Sequence, residues 1–146
     1  MINPDNPVVK LCAEGIQAEM AGRHDEAAAL YRQAWELRRD DYEASIAAHY
    51  LARQQATLAD SLRWNQAALD HALAAPPEQI ADFLPSLYLN LGWSHEVLGD
   101  IAAARVCYGE GAARLGSLPA GPYTDTVRDG LARGLERTAE LENPLA

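Results

Sequence analysis

Apolar residues recur along this chain every three to four positions, the period of one face of an α-helix. Ala, Leu, Glu, Gln and Arg dominate, and no run of alternating β-branched residues interrupts the pattern. Asn6-Pro7 reads as a cap followed by proline at the first helical position, opening a helix that runs to about Ala21. Gly22-Arg23-His24 breaks it, and a second helix covers about Asp25 to Arg38. Asp40 caps a third, to about Gln55, and Thr57 opens a fourth, with Asp60 three residues on as a capping-box variant. Pro76-Pro77 ends that helix near Ala75. Glu78 to Leu98 is helical again with Pro85 inside it, which allows either a short helix before a main one starting at Pro85 or a single kinked helix. Asp100 caps a sixth helix, to about Leu115. Gly116 to Pro122 is a Gly- and Pro-rich loop, and a last helix runs from Tyr123 to Leu141, stopped by Asn143-Pro144. Seven helices joined by short turns are expected to pair into hairpins.

The chain also repeats itself. An offset of 77 residues places Gly15 on Gly92, Gly22 on Gly99, Ala27 on Ala104 and Tyr31 on Tyr108. An offset of 34 brings His49 opposite Gly15, Ala56 opposite Gly22, Ser61 opposite Ala27 and Ala68 opposite Ala34. Two periods of 34 leave nine residues over, and these fit the Ala75 to Phe83 segment. A period of 34 with two helices per unit resembles the tetratricopeptide repeat over about Val8 to Gly116. Leu91-Gly92 matches that family's Leu-Gly pair, and Ala27-x-x-x-Tyr31 and Ala104-x-x-x-Tyr108 match its Ala-x-x-x-Phe element. Small residues let the two helices of a hairpin approach closely, and the aromatic fills the gap before the next. The chain departs from the family at the closing proline, where Arg39, Leu73 and Gly116 stand. It also departs at Asn65, which replaces the aromatic beside Trp64, and at Ala18 and His95 in the family's Tyr slot.

The resemblance implies an all-α fold in one domain, residues 1–146: an α-solenoid of about three hairpins (about 8–41, 42–75 and 85–118) and a capping helix at about 123–141. Val127, Leu131, Leu135 and Thr138 form the stripe with which that last helix covers the end, while Arg128, Arg133, Glu136 and Arg137 lie largely elsewhere. In this family the first helices line a concave face that binds a peptide. Carried over, that face holds three rows: Cys12, Ile46 and Leu89; Ile16, Tyr50 and Trp93; Glu19, Arg53 and Glu96. Tyr50 and Trp93 either anchor a partner in an open groove or pack within the repeats. Asn90 is placed to bond a peptide backbone, and Arg53 to orient a partner. The Glu19, Arg53, Glu96 row reads first as an ion-pair ladder between repeats. Cys12 and Ile16 stand where a carboxylate-gripping subclass would need basic and amide side chains, which argues against a clamp of that kind.

Composition narrows the reading. The formal charge is -9, from 12 basic and 21 acidic residues, and an acidic surface repels phosphate backbones, so no nucleic-acid partner is expected. No run approaches the ~18 apolar residues of a membrane span, and Met1-Ile2-Asn3-Pro4-Asp5 lacks the basic and apolar regions of a signal peptide, so a cytoplasmic protein is expected. Cys12 and Cys107 have no ligand-spaced neighbours and read as buried, reduced thiols. His95-Glu96-Val97-Leu98-Gly99 begins like a zinc-protease helix, but Gly99 stands where the second His is required. His24-Asp25-Glu26 lies at a helix start, where acidic residues meet the helix dipole favourably, and His49 and His71 have no partner at ligand spacing. The expectation is therefore a module that binds a protein or peptide, with no catalytic residues, cofactor or metal. A self-associating homodimer, or a small-molecule or enzymatic pocket, are the alternatives.

Overall fold

The computed structural model describes residues 3–142, and every regular element among them is helical: α1 (Pro7–Met20), α2 (His24–Leu37), α3 (Asp41–Leu51), α4 (Leu58–Ala74), α5 (Pro77–Ile80), α6 (Leu84–Val97), α7 (Ile101–Ala113) and α8 (Pro122–Glu142). The expected stop at Asn143-Pro144 lies outside the described residues. Short 3₁₀ turns follow α3 (Ala52–Gln54) and α7 (Leu115–Ser117), so the expected Gly-Pro loop starts with a turn of helix. Between Ala75 and Phe83 the chain forms a separate short helix, α5, and Pro85 sits in the first turn of α6, where its missing N–H costs nothing.

Caps fix the starts. Asn6 accepts from the amides of Val8 (2.8 Å) and Val9 (3.2 Å), Asp40 from Glu43 (2.8 Å), Thr57 from Asp60 (3.1 Å) and Asp100 from Ala103 (3.2 Å). Gly22 and Gly99 end α1 and α6 with φ of 81° and 90°, the left-handed region a side chain resists.

The chain divides into two compact units, the boundary falling after Ile80. In the first, α1 pairs with α2 and α3 with α4, and α3 also packs on both helices of the first pair. In the second, α6 pairs with α7, and α8 lies against both.

Each unit is organised around one tyrosine buried to 0% exposure, Tyr31 or Tyr108. A methyl group on Gly15 would fall under 3.0 Å from carbons of the Tyr31 ring, and one on Gly92 would fall 2.6 Å from that of Tyr108. Glycine at these two positions is what lets α1 approach α2, and α6 approach α7, closely enough to hold the ring. On its other side Tyr31 stacks against Tyr50 of α3, with ring centroids 5.4 Å apart. Tyr108 there meets Gly134 of α8, whose added methyl would fall 2.6 Å from the ring.

The α3 N-terminus is tied down by Glu43, which is 2% exposed. Its carboxylate accepts from the Arg39 amide (2.9 Å), the Arg39 guanidinium (2.7 and 3.1 Å) and the Asn6 side chain (2.9 Å). Asn6 thus caps α1 and holds α3 through one side chain. The Arg39 bonds, reinforced by Asn6, outweigh the cost of burial and hold the Glu43 pKa down, from 4.5 to about 2. A carboxylate depressed on folding stabilises the protein above its unfolded pKa and loses that contribution as pH falls through the folded value. Wild type should therefore exceed Glu43→Gln in stability by on the order of 2 kcal/mol at pH 6, discounted for the exposed arginine. The gap should close between about pH 4.5 and pH 2, read from urea midpoints of the pair across pH.

Candidate functional site

The side chains that sequence reasoning placed in a groove divide between the two units. In the first unit, α1 and α3 lie side by side and leave a cleft. Cys12, Ile16, Ile46 and Tyr50 meet there, with Val9 and Ala13 completing a small apolar pocket of about 100 Å³. Their spacing of three or four residues in each helix puts them on the facing surfaces. Ile16 and Tyr50 are half-buried, Ile46 is 5% exposed and Ala13 sits at the exposed rim. Tyr50 combines both alternatives: its ring packs on Tyr31 and His49 while also lining the pocket. Burial, helped by the Arg53 charge, pushes the His49 pKa down to about 4, so this imidazole is neutral at physiological pH.

A second hollow lies one turn further along α1, beside the 3₁₀ turn that follows α3. Glu19, Met20, His24, Arg53 and Gln54 line an open hollow of about 490 Å³. Arg53 reaches Glu19 with Nε (3.2 Å to each oxygen) and Nη2, and Gln54 (2.9 Å) and the Tyr31 hydroxyl (3.2 Å) donate to the same carboxylate. The Arg53 bonds lead in holding the Glu19 pKa below its usual value, against the opposing effect of burial. Glu19 is saturated with donors, whereas the Arg53 side chain keeps half its surface in solvent.

Leu89, Asn90 and Trp93 belong to the second unit. Leu89 is partly buried and packs against the cluster of Tyr108, Val127 and Leu131, where a methyl on Gly130 would fall 2.9 Å from it. The physical reason is that α8 occupies, against α6 and α7, the position that α3 occupies against α1 and α2. Asn90 is half-buried on the same helix. Trp93 is 51% exposed, and the Arg137 guanidinium stands 5.3 Å from its ring centroid, over one face.

Of the expected row of Glu19, Arg53 and Glu96, the first two pair within the first unit. Glu96 is held within its own unit by Arg137 (2.9 and 3.1 Å) and by the Tyr108 hydroxyl (2.7 Å). Tyr31, Glu19 and Arg53 in the first unit thus have the same arrangement as Tyr108, Glu96 and Arg137 in the second. Arg137 was missed because the 77-residue offset pairs Arg53 with Gly130. An offset of 84 aligns α3 with α8 instead, matching Asp41 to Asp125, Ala48 to Ala132, Leu51 to Leu135 and Arg53 to Arg137. The stripe expected on α8 is the buried one: Val127, Leu131 and Thr138 are at most 4% exposed, and Leu135 packs beside them.

Neither cysteine is poised to react. Burial pushes the Cys12 thiol up to about 12 and the Cys107 thiol up to about 11. Among the described residues no group of three or more His, Cys, Asp or Glu side chains is placed to hold a metal ion, and no helix is long and apolar enough to cross a membrane. No protein-family model matches the sequence, and no curated protein matches it.

Proposed function

We propose that this chain is a tetratricopeptide-type repeat protein, a short α-solenoid of about three hairpins closed by α8, and that it binds a segment of another protein along the cleft between α1 and α3. The observation that carries the binding reading is the apolar pocket between α1 and α3, lined by Val9, Cys12, Ala13, Ile16, Ile46 and Tyr50, with a half-exposed arginine on a satisfied carboxylate in the same unit. Side chains of a bound segment entering the pocket would lose apolar surface to solvent, and backbone carbonyls passing Arg53 would find unused donors. The repeat reading is supported by the paired offsets in sequence and by the recurrence of one tyrosine, glutamate and arginine cluster in both units. The chain would then serve as a cytoplasmic adaptor.

Ala13→Glu tests this reading. It places a charge at the pocket mouth on an exposed helical position and removes no packing. Proteins retained by the immobilised wild-type chain from its native extract are expected to be lost, at least tenfold, with Ala13→Glu and kept with the control Val106→Glu on α7, whose side chain is 65% exposed. Retention unchanged by Ala13→Glu would exclude the cleft as the binding surface.

A further inference from the structure

We draw no further inference here: the strongest candidate, the surface patch at the C-terminal end of α6 where the apolar side chains of Trp93, Val97 and Leu98 are exposed, carries none because nothing in the structure shows what covers it.

Discussion

Replacing Tyr108 by alanine should remove roughly half the stability of a typical small domain. The ring is fully buried between Gly92 of α6 and Gly134 of α8, two positions with no side chain to close over the space it leaves. Large-to-small substitution of a buried aromatic costs about 3–5 kcal/mol, and the cost is highest where the surroundings cannot collapse. The hydroxyl adds a bond of 2.7 Å to Glu96, a carboxylate that is itself nearly buried, worth about 1–2 kcal/mol. Against total stabilities of about 5–15 kcal/mol, Tyr108→Ala is expected to lose 4–6 kcal/mol, about the loss that separates a folded from a largely unfolded unit. Tyr108→Phe should lose only about 1–2 kcal/mol. Urea unfolding followed by far-ultraviolet circular dichroism measures both, and equal losses for the two variants would contradict the packing described for the second unit.

The second large effect is expected at Gly15. By helix propensity alone, alanine should stabilise α1 by about 1 kcal/mol. Packing reverses the sign. The new methyl would lie under 3.0 Å from carbons of the Tyr31 ring, which is held from the opposite side by Tyr50 and cannot retreat. Overpacking of a tight core costs about 1–3 kcal/mol and more where the neighbour is fixed, so Gly15→Ala should be destabilising by at least 2 kcal/mol. Gly109→Ala on α7, where an added methyl meets nothing within 4 Å, should show the opposite sign, a gain of about 0.5–1 kcal/mol. Trimming Tyr31 to leucine should largely rescue Gly15→Ala, so that the double variant is more stable than the sum of the two single losses implies. Strict additivity would mean that the two residues do not press on each other.

How much of this was legible from sequence follows from what each feature depends on. Helix starts depend on one or two adjacent residues, and the caps at Asn6, Asp40, Thr57 and Asp100 fall where their side-chain chemistry placed them. The recurrence of Gly15 and Tyr31 as Gly92 and Tyr108 was visible at a fixed offset of 77, whereas the packing of each glycine on the tyrosine ring of its own hairpin emerges only from the structure. The fate of Leu89 was likewise not visible. It depends on where α8 docks, and α8 aligns with α3 only at an offset of 84, outside the period carried by the rest of the chain. The pairing of Glu96 with Arg137 was hidden for the same reason. The role of Glu43 was within reach: Asp40 followed three residues later by glutamate is itself a capping-box pattern, and the carboxylate folds back onto the Arg39 amide beside the cap. Cys12, Ile16, Ile46 and Tyr50 share a helical spacing that put them on facing surfaces, whereas Val9, Ala13 and the pocket's volume depend on side-chain conformations that no sequence pattern fixes.

The most direct test of the central claim is site-specific photo-crosslinking in the native cell, with a photoreactive phenylalanine analogue at Ala13 on the rim of the cleft and, separately, at Ala102 on the exposed face of α7. The account predicts a discrete adduct of another protein from position 13 and none from position 102. Adducts from position 102 with none from position 13 would place the binding surface on α7 and contradict the assignment of the α1–α3 cleft.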